Sequence, residues 1–261
     1  MPGNDAYTVL LLPCDGTDTS QVFPDTSVGG STHIITANNT AQVDTEFKKF
    51  GTGSYWSDGG DDFLSTLASA DFDFGTNDFT IDFWVRFTST ATSDKFMGQY
   101  ENENYNWEYV IYENKFHLIW KSVDGTVRGN YYSTDAWSRE TVTWYHLEFC
   151  RDGITAHMFI DGTEHTLTET LAFGTNDTGA TNRDLSIGAG NTGSDSIDGH
   201  LDEIRISKGI ARHTSDFSVP TEEYGEVVDI LKILGIAQAD ISKVSGVALA
   251  SISKVAGVSN V

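Results

Sequence analysis

The segment "TWYHLEFCRDGITAHMFIDGTEHTL" (143–167) is divided by Asp152-Gly153 and Asp161-Gly162. Asp-Gly readily takes up the positive φ angles that tight hairpins need, and the runs between these turns are aromatic and β-branched. Such spacing leaves room for short antiparallel strands and none for a helix. The same punctuation recurs along the chain. "YTVLLLPC" (7–14) ends at Asp15-Gly16, "WEYVIYENKFHLIWKSVDG" (107–125) turns at Glu113-Asn114, and "DLSIGAG" (184–190) and "GHLDEIRISKG" (199–209) follow. "DFTIDFWVRF" (78–87) alternates: Phe79, Ile81, Phe83, Val85 and Phe87 face one way, and Thr80, Asp82, Trp84 and Arg86 the other. That pattern predicts a long half-buried strand. No helical period emerges before residue 225, so two antiparallel sheets packed face to face are expected over residues 1–224.

The remaining residues, 225–261, have a different character. "EVVDILKILG" (226–235) spaces Val227, Ile230, Leu231 and Leu234 as an amphipathic helix ending at Gly235. Gly235, Gly246 and Gly257 then recur every eleven residues, together with Ile241 and Ile252, Lys243 and Lys254, and Val244 and Val255. A glycine at each repeat costs roughly 1 kcal/mol in a continuous helix, so short helical pieces are expected. Two repeats cannot stack into a solenoid of their own. Burial against copies of itself or another protein is one expectation for this segment, and folding back on the sandwich is the other.

The net charge is −22. It belongs wholly to residues 1–224, which hold 35 acids against 13 bases. Such a surface repels phosphate backbones and argues against nucleic-acid binding. "TVLLLP" is too short for a signal h-region, and "VSGVALASIS" is far short of a membrane span, so neither export nor membrane insertion is expected. Cys14 and Cys150 lack a C-x-x-C or zinc spacing and read as free core thiols.

"FGTGSYWSDGGDDFL", "DFDFGTNDFTIDFWVRF", "WYHLEFCRDG…MFIDG", "LSIGAG" and "GHLDEIRISKGIARHTSDFSVPTEEY" follow one another in an order that resembles laminin-G-like, concanavalin A-like jelly-roll domains. The resemblance covers about residues 7–224, and the last motif is most similar to versions carried by bacteriophage structural and tail proteins. It implies an all-β, two-sheet antiparallel jelly-roll sandwich followed by the short C-terminal segment at 225–261. It also implies a virion component, made in the host cytoplasm, whose C-terminal segment joins it to other virion proteins or to copies of itself. The "ISKV-x-GV" units are similar to segments that follow such domains in phage proteins. A free-standing carbohydrate-binding lectin module is the alternative, and a glycoside hydrolase the third reading.

Three kinds of chemistry were open to this fold. Glycosidases of the family carry an E-x-D-x-x-E or E-x-D-x-E strand, but "DFTIDFWVRF" offers only Asp78 and Asp82. Glu101, Glu103 and Glu108 sit in an Asn-rich stretch read as loop, and no G-x-S-x-G or H-E-x-x-H occurs, so no enzyme is expected. A metal site is the second possibility. Asp202 has the parity of Ile204 and Ile206 and should point to the core, where a carboxylate needs a partner. Antiparallel pairing of the first and last strands would bring Asp15 beside it. The two either accept turn amides or hold a structural Ca²⁺, the ion the resemblance implies there, with carbonyls from "FGTGS" (50–54). A sugar site is the third. Tyr105, Trp107, Tyr109 and Trp120, amid Asn side chains, have the composition of a carbohydrate platform, while Trp84, Trp137 and Trp144 are expected in the core.

Overall fold

The structure is a computed structural model that describes residues 3–225, apart from 91–92, 103–104, 122–125, 175–182 and 191–192. The chain divides into two compact units, Met1–Glu226 and Val227–Val261. The expected helix at 226–235 and the eleven-residue repeats lie outside the described residues.

Sixteen strands are described, with one 3₁₀ turn at Ala70–Phe72. In chain order they are β1 (Thr8–Leu12), β2 (Thr36–Asn38), β3 (Gln42–Asp44), β4 (Ser54–Asp58), β5 (Phe63–Thr66), β6 (Phe79–Phe87), β7 (Ser93–Asn102) and β8 (Tyr105–Tyr112). Then follow β9 (Lys115–Lys121), β10 (Val127–Ser133), β11 (Trp144–Asp152), β12 (Thr155–Ile160), β13 (Thr163–Glu164), β14 (Leu167–Leu171), β15 (Leu185–Ile187) and β16 (Asp198–Lys208). They form two eight-stranded antiparallel sheets. The first runs β13-β12-β11-β6-β16-β4-β3, with β1 also paired to β16, and the second runs β14-β10-β9-β8-β7-β15-β5-β2. This is the all-β jelly-roll sandwich that the turn spacing and motif order predict.

The core lies between the sheets. From the first come Phe79, Ile81, Phe83, Val85 and Phe87 with Leu147 and Phe149, and from the second Trp107, Tyr109, Phe116, Leu118 and Trp120. The Asp161-Gly162 turn joins β12 to β13, and Asp161 (φ 49°) and Gly162 (φ 75°) both take the left-handed region that the dipeptide favours. Cys14 and Cys150 are buried free thiols.

Two expectations are corrected by the first sheet's outer face. The strand at 78–87 is not half-buried: every residue of β6 is buried, including Thr80, Asp82, Trp84 and Arg86. Chain segments remote in sequence cover that second face. Tyr224 donates its hydroxyl to Asp82, and its amide donates to Glu203 Oε2 at 2.8 Å. Arg205 makes a bidentate pair with Asp82 (2.9 and 3.0 Å) and donates to the carbonyl of Gly3 at 2.8 Å. Residues 209–224 and the N-terminus therefore strap the sheet from outside. The second correction concerns parity. β16 carries a bulge between Asp202 and Arg205, with Glu203 at φ 51°. The extra residue puts Leu201, Ile204 and Ile206 in the core while Asp202, opposite Trp84, faces outward with Arg205.

Candidate functional site

Asp15 and Asp202 do converge on one loop, but through its hydrogens. Asp202 Oδ2 accepts the amides of Lys49 (2.7 Å) and Phe50 (3.1 Å), and its Oδ1 accepts that of Glu203 at 2.9 Å. Asp15 Oδ1 accepts from the amides of Thr52 and Gly53 and from the Thr52 hydroxyl. Burial pushes the Asp202 carboxyl up, and the amides of Phe50 and Lys49 pull against it. The loop at 49–53 presents N–H groups where a cation would need carbonyl oxygens. Among the described residues no group of three or more His, Cys, Asp or Glu side chains is arranged to hold a metal ion. Of the two readings open for the pair, the arrangement is that of amide acceptors.

The expected sugar platform is corrected as well. Trp107, Tyr109 and Trp120 are each 0% exposed, on the inward face of the second sheet. The Trp107 and Trp120 rings stack at 4.8 Å with 4° between planes, and Trp107 Nε1 donates to Gln99 Oε1 at 2.8 Å. A ring so enclosed offers no face to a glycan. Tyr105 opens β8, and its side chain lies outside the described ones. Of the tryptophans expected in the core, Trp137 packs against it, whereas Trp84 lies on the covered outer face and Trp144 is half-buried on that same face.

Inward Trp107 and Tyr109 turn Glu108 outward. Glu108 is not in a loop; it sits within β8, between Gly98 of β7 and Ile119 of β9. It belongs to a cross-strand row that spans all eight strands: Thr36, Ser65, Ser186, Gly98, Glu108, Ile119, Asn130 and Leu171. At about 4.8 Å per strand the row is about 34 Å long. Ser65, Ser186 and Gly98 leave its middle low. A Cβ on Gly98 would come within 2.4 Å of the Trp107 carbonyl, so the floor there can only be glycine.

Beside Gly98 lie Lys95, Tyr100, Glu108 and Gly190. Lys95 Nζ lies 3.0 Å from Glu108 and 3.5 Å from Asp195. Burial alone would lower the Lys95 pKa, but the two carboxylates outweigh it and hold the ammonium above its usual range. Two strands beyond Glu108, Asn130 Oδ1 is buried without a hydrogen-bond partner. The face thus offers a fixed cation, a carboxylate and an unspent amide oxygen on nearby strands, which suits a chain of hydroxyl groups. The W-E-Y-V-I alternation carried the signal for Glu108, whereas the row itself depends on register.

The comparisons agree with this architecture. Residues 58–213 match Laminin_G_3, the concanavalin A-like lectin/glucanases superfamily. Domain 4 of AbnA, a GH43 extracellular arabinanase from Geobacillus stearothermophilus, solved in complex with arabinotriose, is similar with TM-score 0.58 at 18% identity, over 77% of this chain and 92% of that one. The botulinum neurotoxin serotype G binding domain gives 0.57 at 14% identity, over 78% of this chain and 48% of that one. The binding domain of Paraclostridial Mosquitocidal Protein 1 gives 0.57 at 14%, over 78% and 49%. The chain thus spans about half the length of these toxin domains. No curated protein sequence matches it. With a family match over more than half its length laid on a two-sheet antiparallel sandwich, the chain belongs to the Laminin_G_3 family of concanavalin A-like lectins and glucanases.

Proposed function

We propose that the chain is a non-enzymatic, lectin-like component of a phage virion that holds a host-surface glycan on the outer face of its second sheet. The observation that carries the glycan reading is the eight-strand row with Glu108 ion-paired to Lys95 and Asn130 Oδ1 unspent. Fixed acceptors and a cation beside a glycine floor are what a row of sugar hydroxyls can pair with. The arabinotriose held by the AbnA domain makes arabino-oligosaccharides the first probe. The non-enzymatic reading rests on Glu108 having an ammonium, rather than a second acid, as its close charged neighbour.

Titration calorimetry of the whole chain against arabinotriose and a panel of neutral oligosaccharides tests this site. Binding that weakens about tenfold in Glu108→Gln, with no release of reducing ends, supports it, since a hydrogen bond to a charged group is worth about 1.5–3 kcal/mol. Hydrolysis abolished by Glu108→Gln would replace the lectin reading with the glycosidase.

The virion reading rests on the motif resemblance and on the small, apolar repeats after residue 225. Its partners are other virion proteins or copies of itself, and its place is the capsid or tail surface. Light-scattering masses of residues 1–261 and 1–226 test it. An oligomer that becomes monomeric on truncation supports assembly through the tail, whereas two monomers favour the free-standing lectin.

A further inference from the structure

The outer face of the first sheet holds a second set of side chains, independent of the Lys95–Glu108 pair. Gln42, Trp56, His200, Arg86 and Trp144 are successive cross-strand neighbours on β3, β4, β16, β6 and β11. A half-buried tryptophan thus lies on either side of Arg86 and His200, which are only 7% and 1% exposed. The two tryptophans are three strand spacings, about 14 Å, apart. Phe47, from the loop after β3, roofs both buried groups. Its ring lies 4.1 Å from the Arg86 guanidinium carbon and 5.5 Å from the His200 ring.

Beneath this roof the hydrogen bonding is incomplete. Arg86 Nη1 and His200 Nδ1 are buried without a partner, and so is Trp84 Nε1, two residues along β6, under Lys49. The other arginines of this face have carboxylates: Arg205 has Asp82 and Arg212 has Asp5. Arg86 has none. The one carboxylate in contact with His200, Asp44, is taken by Nε2 at 2.8 Å. A buried cation without an anion is costly, and buried donors without acceptors add to that cost. An anionic acceptor would relieve Arg86, and a hydroxyl carried by the same molecule would donate to His200 Nδ1, the acceptor nitrogen of a ring whose Nε2–H is held by Asp44.

We propose that this row is a second binding site, which takes the carboxylate of an acidic sugar on Arg86 and a sugar hydroxyl on His200 Nδ1, with the sugar ring laid against Trp144. Trp144 is the direct cross-strand neighbour of Arg86, and its ring lies 6.3 Å from that of His200. Trp56, on the far side of His200, serves the next sugar unit, so the ligand is an acidic oligosaccharide rather than a free ion. Rotation of the Phe47 side chain, which roofs both groups, would open the way to them. The loop backbone stays pinned by Ser54 Oγ on the Phe47 carbonyl (2.6 Å) and by Asp202 on the Lys49 amide. Phe47, 38% exposed, has solvent to turn into.

Calorimetry of the whole chain against trigalacturonic acid, its methyl ester and a glucuronate-terminated trisaccharide tests the site. An acid form should bind about tenfold tighter than the uncharged ester, the worth of one charge-assisted hydrogen bond. Trp144→Ala should lose about tenfold, and Glu108→Gln on the opposite sheet should change nothing. Arg86→Met should abolish the preference for acid over ester; if it does not fold, Trp144→Ala, at a partly exposed position, carries the test. Equal binding of acid and ester, no binding of either acid, or acid binding lost in Glu108→Gln instead would each overturn the proposal. The last would assign the acid to the Lys95–Glu108 pair, and failure of the neutral panel there would leave this site standing.

Discussion

A buried carboxylate is defined by the partners it finds, and those of Asp202 are amide hydrogens. Its two oxygens accept three backbone amides, from Lys49, Phe50 and Glu203, in a site shut off from solvent. Asp202→Asn would turn an amide N–H toward donors it cannot pair with. A buried donor left unsatisfied costs about 1–3 kcal/mol, so urea unfolding should show a loss of about 2 kcal/mol. EGTA should leave the melting temperature of the wild type unchanged, whereas a fall of several degrees would restore Ca²⁺ to the site. The sequence brought Asp15 and Asp202 to one loop correctly because strand pairing does that. It could not say whether the loop turns its carbonyls or its amides toward them, since that is set by φ and ψ at 49–53. The aromatics show the converse. In "NWEYVIY" a strand's alternation was present, Trp107 and Tyr109 with Ile111 against Glu108 and Val110, but the Asn-rich flank suggested a loop. Reading the parity first would have sent both rings inward and Glu108 outward.

At the scale of elements, the strands and turns were legible because each is a local matter. Glu113-Asn114 and Asp161-Gly162 take up positive φ at both residues, and period two needs only a few residues to show itself. What covers a strand is not local. The alternation of β6 defines two faces, and nothing in it reveals that Tyr224, Arg205 and the loop at 47–50 will bury the polar one. The bulge in β16 is equally silent. Glu203 takes a left-handed φ of 51° without the glycine that usually announces such a position. Its amide donates to the adjacent Asp202 carboxylate, while its own carboxylate holds the Tyr224 amide at 2.8 Å. The bulge therefore re-aims one residue to Asp202's loop and the next to the C-terminal strap. One inserted residue fixes both outer coverings of the sheet, and this is why the parity argument failed at that position.

For the whole molecule, the acidic balance and the buried acids act on stability in the same direction as pH rises. Burial raises Glu203 from 4.5 to about 7, with Glu223, Asp15 and Asp82 adding repulsion, and raises Asp94 from 3.8 to about 7 against the pull of Arg139. A carboxyl that keeps its proton in the fold and loses it on unfolding contributes stability below its unfolded pKa. That contribution is lost as pH climbs through the folded value. The window for these two is therefore about pH 4 to 7, and self-repulsion of the −22 charge grows over the same range. Below it the sign reverses. Burial alone would raise Asp82 and Asp25, but Arg205 and His146 together outweigh it at Asp82, and the His33 ring with the amides of Ser27, His33 and Leu11 outweighs it at Asp25, so both are held below the usual carboxylate range. Their contribution disappears as acid protonates them. The melting temperature should thus peak in mild acid, near about pH 5, and fall steadily toward pH 8. Glu203→Gln, which still offers an oxygen to the Tyr224 amide, should flatten that descent without moving the acid limb. A wild-type melting temperature that is level or rising from pH 5 to pH 8 would show that Glu203 and Asp94 are ionised in the fold throughout. The strap and the start of β7 would then be held by ionised carboxylates rather than by proton-bearing acids.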